Sequence, residues 1–275
     1  MIRKILAVGV AAIVALAIPA AASAKTLIGS GSVAAQPVFL ALFHKYEQKH
    51  SNIHFVYTAD GGNAGVQDVQ SGKSMFAGQA RLPLPSDAGT TYIKMYLDGL
   101  CMDVNNGNRV SNMSVSKIRN VYLAHTTNWS NVSGSQLNTT IDPVGRDTNG
   151  GTYTFFLQSV LNNEPPASNV NALTADGLVV NAVKQDPNAI GYAGLAWQKK
   201  GIKAVKVNGV ACEPKNISVE PLKYPLSRYL FLVLPGNGKE SPPALLKFID
   251  WARTSKLAGE VIAAAGGVPA FNKKK

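Results

Sequence analysis

The sequence has few residues of the kinds that build metal sites and disulfide frameworks. It contains 2 cysteines and 4 histidines among 275 residues, and none of them stands at the short spacing of a zinc site. We therefore expect no bound metal and no cofactor. In an exported chain, Cys101 and Cys212 can form one disulfide or remain two buried thiols, and the sequence favours neither.

Long apolar runs are lacking after the N-terminus. The run Ile5–Ile18 follows Arg3 and Lys4 and precedes the small residues Ala22-Ser23-Ala24. It is shorter than the roughly 20 residues of a membrane-spanning helix, and its layout is typical of a secretory signal peptide. We predict a signal peptide at residues 1–24 and a soluble mature chain that is periplasmic or secreted. No cysteine lies near the cleavage point, so no lipid anchor is expected.

Acidic residues are outnumbered by basic ones. Cleavage after Ala24 removes Arg3 and Lys4, which leaves 25 of the 27 basic residues and, against 16 acidic residues, a net charge of about +9. This balance favours an anionic partner. Because the basic residues are scattered, apart from a run at 273–275, we expect no nucleic-acid binding. Most of them form a solvated surface, and one or two serve a small anion.

The mature chain has the pattern of an α/β protein. Its 251 residues, in a sequence that is 46% hydrophobic, suffice for two lobes with a core of their own. Strand-like runs at 53–57, up to Val144 and at 229–234 alternate with helical patterns at 244–249 and 257–264. The first helical pattern has its apolar residues at Val38, Phe39, Leu42, Phe43 and Tyr46. We expect a monomer.

Three segments share the order strand, glycine-rich turn, helix start. They are Gly29–Ser32, Gly61–Gly65 and Asn149–Thr152. Glycine lets the backbone approach a ligand closely, and the first N–H groups of a helix are unpaired donors at the positive end of its dipole. A single turn of this kind usually binds nothing. Three of them, with Arg81 and Arg146 nearby, indicate a site for an oxyanion.

These turns resemble those of a known family, the periplasmic phosphate-binding proteins of phosphate ABC transporters, which have the type II solute-binding fold. Gly29–Val33 and Gly61–Val66 resemble its first two ligand loops, and Val144–Thr152 resembles its arginine-containing loop. The resemblance extends in order along the chain through Val121–Leu123, Asn128-Trp129, Ala189–Tyr192 and Tyr224–Arg228, which we interpret as packing segments.

The resemblance implies a two-lobed α/β fold with the ligand cleft between the lobes. Lobe 1 would comprise residues 25–100 plus 223–275, and lobe 2 residues 101–222. The chain would cross between the lobes at hinges near Gly99–Met102 and Pro221–Tyr224.

The resemblance also implies a set of ligand contacts. Ser32 would donate its hydroxyl, Val33 its backbone N–H, Gly151 an N–H and Thr152 a hydroxyl. Arg146 would supply the charge from an exposed cleft.

The chain departs from the family at three positions. Gly62 and Gly150 stand where the family has serine, and Ala80 stands where it has aspartate or serine. We expect the N–H groups of Gly62 and Gly150, and the side-chain amides of Asn63 and Asn149, to donate in their place.

Two charged residues are assigned other roles. Asp147 follows Arg146 and is expected to orient its guanidinium rather than to touch the ligand. Arg81 is expected to be a structural or rim residue.

The sequence leaves three classes of function to distinguish. The first is the capture of phosphate or a similar oxyanion by lobe closure, for an inner-membrane ABC transporter permease. The second is a secreted protein of the same fold that binds a different ligand or a surface partner. The third is a hydrolase, which the sequence does not favour. It has no Gly-x-Ser-x-Gly turn and its histidines lie outside the glycine turns, so no catalytic residue is expected.

Overall fold

The computed structural model describes residues 24–198 and 200–271. The predicted signal peptide, except for Ala24, and the basic run at 273–275 therefore lie outside the described residues. Within the part that is described, no helix combines the length and the apolar character needed to cross a bilayer.

The described residues form a mixed α/β structure. The strands are β1 (Lys25–Gly31), β2 (Ile53–Thr58), β3 (Phe76–Gln79), β4 (Thr90–Asn105), β5 (Asn112–Met113), β6 (Asp142–Arg146), β7 (Asn171–Leu173), β8 (Ala189–Gly194), β9 (Ile202–Val207) and β10 (Ser227–Pro235). The α-helices are α1 (Gln36–Glu47), α2 (Gly62–Gln70), α3 (Val115–Tyr122), α4 (Gly151–Ser159), α5 (Asp176–Gln185), α6 (Pro243–Thr254) and α7 (Lys256–Ala264). Short 3-10 helices lie at Pro85–Asp87, Trp129–Asn131, Leu195–Trp197 and Pro214–Asn216.

The strand and helix patterns predicted from the sequence are confirmed. The predicted strands fall within β2, β6 and β10, and the two later helical patterns fall within α6 and α7. The first helical pattern predicts the inner face of α1 correctly, because a helix of 3.6 residues per turn brings residues three and four apart to one side. The buried residues of α1 are Val38, Phe39, Leu42, Phe43 and Tyr46.

Parallel strands in the first half of the chain create an edge suited to ligand binding. β1 pairs with β2 on one side and β3 on the other, both in parallel. The carboxyl ends of all three strands therefore meet at the same edge of the sheet. In open α/β sheets this edge is where ligands bind, since the turns that follow the strands gather there.

β4 connects the two halves of the structure. Its residues from Thr90 to Gly99 pair antiparallel with β10. Beyond Gly99 the same strand pairs with β8 and then with β9. One continuous strand thus belongs to both halves of the sheet, which runs in the order β2-β1-β3-β10-β4-β8-β6-β7.

Two large hydrophobic cores lie on either side of this connection. The first is aromatic, with the ring of Phe43 stacked on that of Phe55 at a centroid distance of 4.3 Å. In the second, Phe156 stacks on Tyr192 at 4.1 Å. Along the chain, core residues change from one cluster to the other between Tyr96 and Leu100 and again between Leu226 and Leu230. The two-lobed α/β class is confirmed; the lobe boundaries and hinges stay a prediction.

A disulfide closes the second core. Cys101, in β4, is bonded to Cys212, and their Cα atoms are 5.5 Å apart. Both cysteines are buried. Of the two alternatives left open by the sequence, the structure has the bridge.

We predict that the unreduced mature protein, once unfolded in denaturant, contains no titratable thiol. Because the bridge closes a loop of more than a hundred residues, the double variant Cys101→Ala/Cys212→Ala should lose about 2–5 kcal/mol of unfolding free energy. Thiol titration and urea denaturation measure the two effects. Two free thiols, or equal stability of variant and parent, would contradict the assignment.

Asp103 is a fully buried acid in β4. Its Oδ2 accepts a hydrogen bond from Nε2 of Gln198 at 3.0 Å, while its Oδ1 has no hydrogen-bond partner among the described residues. Burial penalises the charged form and raises the pKa of Asp103 to about 8, although the bond from Gln198 opposes the shift. The folded protein therefore holds a proton here that the unfolded chain releases near pH 4.

This difference predicts that unfolding free energy falls as pH rises from about 4 to about 8 and then levels off. Asp103→Asn, which is neutral at every pH, should remove this contribution and raise the Tm at pH 8, by about 2–4 °C for each kcal/mol gained. Thermal unfolding from pH 5 to pH 9 measures it, with Asp250→Asn on the exposed face of α6 as the control. An unchanged pH slope in Asp103→Asn would count against a buried neutral carboxyl.

Candidate functional site

The order strand, turn, helix is present in all three predicted segments, although Gly29–Gly31 of the first segment belong to β1 rather than to the turn. β1 ends at Gly31 and a short turn leads into α1. α2 begins at Gly62, shortly after the end of β2, and α4 begins at Gly151, shortly after the end of β6. The first N–H groups of α2 and α4 have no partner within their own helices.

Main-chain hydrogen bonds join the three turns into one cluster. The N–H of Gly61 donates to the carbonyl oxygen of Gly31 at 2.9 Å, which links the first two turns. The N–H of Asn63 donates to the carbonyl oxygen of Asn149 at 3.0 Å, which links the second turn to the third. The second bond crosses from one predicted lobe to the other.

Glycine is required where these backbones meet. Gly61 has a φ of 113°, a conformation that side chains disfavour. A Cβ at Gly61 would also lie 2.5 Å from the carbonyl oxygen of Asn149. The close approach of the second and third turns therefore depends on the missing side chain.

Gln79, the last residue of β3, lies at the centre of the cluster. Its side chain is fully buried. Oε1 accepts a hydrogen bond from the N–H of Ala80 at 2.7 Å, and Nε2 donates to Oδ1 of Asn63 at 3.3 Å. Oε1 lies so close to the starts of α2 and α4 that a Cβ on Gly62 or on Gly151 would collide with it. No local sequence pattern points to this residue.

Asn63 connects the two sides of the cluster. Its Nδ2 donates to the carbonyl oxygen of Thr148 at 2.9 Å and to Oγ1 of Thr154 at 3.0 Å. These two bonds use both N–H groups of the side-chain amide. The expectation that this amide is available to an anion is therefore wrong for this arrangement, since the amide links the second turn to the third turn and to α4.

Arg146 is buried rather than exposed. Only 3% of its surface is accessible. Nε donates to the carbonyl oxygen of Leu173 at 3.1 Å, Nη2 donates to that of Thr174 at 2.7 Å, and Nη1 is ion-paired with Oδ2 of Asp176. The expected placement in an exposed cleft is wrong, because β6 and the segment leading to α5 enclose the guanidinium.

The orienting role expected of Asp147 belongs mainly to Asp176. Asp147 Oδ1 lies 3.7 Å from Nη2 of Arg146, at the outer limit of an ion pair, whereas Asp176 is fully buried against Nη1. The guanidinium still borders the third turn, because a Cβ on Gly150 would lie 3.1 Å from its Nη2.

Among the remaining predicted site residues, some N–H groups already donate hydrogen bonds within the protein and others are available to a ligand. The N–H of Ser32 donates to the carbonyl oxygen of Gly78 at 2.9 Å, and its Oγ accepts from the N–H of Ala35 at 3.2 Å. The N–H of Gly150 donates to the carbonyl oxygen of Asp147 at 3.1 Å. The expectation that the Gly150 amide is available is thus wrong, because this bond closes the third turn.

The available donors come mainly from the main chain. The N–H of Val33 has no hydrogen-bond partner among the described residues, and those of Gly62, Gly151 and Thr152 belong to first helical turns. The hydroxyl of Ser32 adds one further donor.

Arg228 is more than a packing residue. Its Nε donates to Oδ2 of Asp98 at 2.9 Å, and its Nη1 lies 3.3 Å from both the carbonyl oxygen of Ala80 and Oγ1 of Thr152. It therefore links β10 to the start of α4. Its place within a segment assigned to packing gave no signal of this contact.

Arg81 lies in a closed ion pair, as expected for a structural residue. Its Nη1 is 2.5 Å from Oδ2 of Asp87 and its Nη2 is 3.1 Å from Oδ1, and both side chains are buried. Throughout residues 24–198 and 200–271, no three His, Cys, Asp or Glu side chains come together as a metal site requires.

Comparison with known proteins places this architecture in a family. The family described as a PBP superfamily domain matches residues 18–256, which is most of the chain. The chain belongs to the PBP superfamily. This is the periplasmic-binding-protein class that the sequence resemblance implies.

Relatives of this chain are described as phosphate-binding proteins. A phosphate-binding protein PstS of Staphylococcus aureus (strain USA300) is 28% identical over 261 residues, which cover 89% of this chain and 78% of the relative. A phosphate-binding protein PstS of Staphylococcus epidermidis is 26% identical and covers 81% of this chain and 73% of the relative.

Solved structures show the same PBP fold. One from Clostridium perfringens, described as a phosphate ABC transporter substrate-binding protein with bound phosphate, has a TM-score of 0.83 at 24% identity and covers 90% of this chain and 100% of that one. An ABC-type phosphate transport receptor from Vibrio cholerae has a TM-score of 0.71 at 24% identity and covers 89% and 100%.

The buried ion pair between Arg146 and Asp176 predicts a large effect on the free energy of unfolding. Asp176→Ala leaves the guanidinium of Arg146 buried without its carboxylate and should cost about 3–5 kcal/mol of unfolding free energy. Glu164→Ala is the matched control, since it removes the acid partner of the more exposed Arg119 and should cost less than about 1 kcal/mol. Urea denaturation measures both. Equal losses of unfolding free energy in the two variants would contradict the burial of Arg146.

Proposed function

We propose that this protein captures phosphate, or a similar tetrahedral oxyanion, at the cluster of glycine turns. The observation that carries the proposal is that the first turns of α2 and α4, one from each predicted lobe, enclose a single buried oxygen, Oε1 of Gln79. Unpaired N–H groups at helix N-termini suit an oxygen acceptor and favour negative charge. The same position suits an oxygen of an oxyanion.

The charge of the anion would be met chiefly by the main chain. Arg146 and Arg228 lie beside the cluster, but each is already paired with a buried carboxylate, Asp176 and Asp98 respectively. Their charges are therefore largely balanced. Helix N-termini supply the remaining positive potential without a counter-ion. We propose as contacts the N–H groups of Val33, Gly62, Gly151 and Thr152 and the hydroxyls of Ser32 and Thr152, with Arg146 as a bordering charge.

We infer that closure of the lobes encloses the anion and that an ABC transporter permease in the membrane accepts the closed form. The bonds from Asn63 to Thr148 and Thr154 would hold that form together. Export through the predicted signal peptide at residues 1–24 would place the protein in the periplasm or outside the cell. The staphylococcal phosphate-binding relatives support this assignment. No catalytic step is proposed.

A second candidate is a secreted binder for a different ligand or a surface partner. Two observations support this candidate. Gly62 and Gly150 lack the hydroxyls that the family resemblance implies, and the carboxamide of Gln79 already fills the space between the helix starts. Both features weaken the case for phosphate while leaving the fold unaffected.

We predict that the mature protein, stripped of anions by unfolding and refolding, binds phosphate in isothermal titration more tightly than sulfate, arsenate or molybdate at the same salt. Thr152→Val retains the size of the side chain but removes its hydroxyl. It should weaken phosphate binding about tenfold or more, as expected for a hydrogen bond to a charged group. Thr254→Val, on the exposed end of α6, is the control and should bind as the parent does. Absence of selective phosphate binding would favour the second candidate.

A further inference from the structure

The carboxamide of Gln79 is fixed in one orientation between the two helix starts. The N–H of Ala80 donates to Oε1 at 2.7 Å, and Nε2 points to Oδ1 of Asn63. This orientation places the oxygen nearest to Gly62 and Gly151, with the amide nitrogen turned toward Asn63. A neutral oxygen of the chain itself thus lies beside the two glycines, Gly62 and Gly151, whose N–H groups an anion would use.

Gly62 makes room for this side chain. The three atoms nearest to a Cβ built on Gly62 are Oε1, Cδ and Nε2, all from Gln79. Any side chain at position 62 would therefore meet the carboxamide before it met anything else. The glycine at 62 and the glutamine at 79 fit each other as a pair.

We infer that Gln79 is a built-in competitor, whose carboxamide must leave the cluster before an oxyanion can enter it. This inference rests on the proposed function. A carboxamide oxygen and an oxyanion oxygen cannot occupy the same space, so the two states exclude each other. While the carboxamide is in place, Oε1 accepts from the N–H of Ala80 and fills the space beside Gly62 and Gly151.

The competition sets the affinity of the site. When the binding-competent form is only a fraction of the population, the apparent dissociation constant rises by the inverse of that fraction. Gln79 therefore lowers the affinity for every oxyanion that uses the cluster. An uncharged oxygen is a weaker acceptor than a charged one, which allows an anion to displace it.

The first test is isothermal titration of the parent, Gln79→Ala and Gln79→Ser with inorganic phosphate and, separately, with sulfate. Neither alanine nor serine reaches between the helix starts. Both variants should bind phosphate at least about tenfold more tightly than the parent. Gln67→Ala, on the exposed face of α2, is the control and should equal the parent.

The outcomes separate this inference from the proposed function. Phosphate binding by the parent that is equal to or tighter than that of the variants overturns the competitor role and leaves the function standing. If neither parent nor variants bind phosphate but the variants gain sulfate binding, the assignment of phosphate as the ligand fails and the competitor role stands. If none of the proteins binds either anion, both fail.

The second test needs no ligand. Thermal unfolding of Gly62→Ala, Gln79→Ala and the double variant forms a cycle that isolates their coupling. Gly62→Ala should lower the Tm of the parent because its Cβ collides with the carboxamide. In the Gln79→Ala background the same change should have little effect. Equal effects of Gly62→Ala in both backgrounds would show that the carboxamide does not occupy this space.

Discussion

Strand β4 is shared by the two hydrophobic cores, and the geometry of the cleft depends on this sharing. Before Gly99 it pairs with β10, and beyond it with β8 and β9. Asp98 therefore stands next to the crossing, where its carboxylate holds Arg228. Arg228 in turn reaches Oγ1 of Thr152 on the far side. One paired strand thus connects the two halves of the sheet directly.

The cluster that faces this crossing is made mainly of backbone. Parallel pairing of β1 with β2 and β3 brings their carboxyl ends to one edge, and α4 approaches from the opposite side. Main-chain donors depend little on side-chain identity, so glycine can replace serine without removing every contact. What the side chains do determine is which group occupies the cluster, and Gln79 shows this because it fills the space that Gly62 leaves open.

Many of the helices, strands and turns can be predicted from the sequence. The predictions that failed have a common cause. Periodicity predicts the inner face of α1, and glycine spacing predicts the three turns, because both depend on neighbours within a few residues. The burial of Arg146 could not be predicted. It depends on Asp176, which approaches only through the pairing of β6 with β7 and the start of α5. The position of Gln79 could not be predicted for the same reason, since its partners belong to separate turns that are brought together by the fold.

The disulfide between Cys101 and Cys212 makes the stability of the protein depend on the redox conditions of its compartment. Thiols stay reduced in the bacterial cytosol and oxidise outside it. For a chain exported through the predicted signal peptide, the second core, which contains the fully buried Cys101 of β4, would be closed covalently only after the chain has left the cytosol. A chain awaiting export would therefore be less stable than the mature protein. That difference would favour passage through a translocation channel in the unfolded state, with the covalent closure of the core following outside.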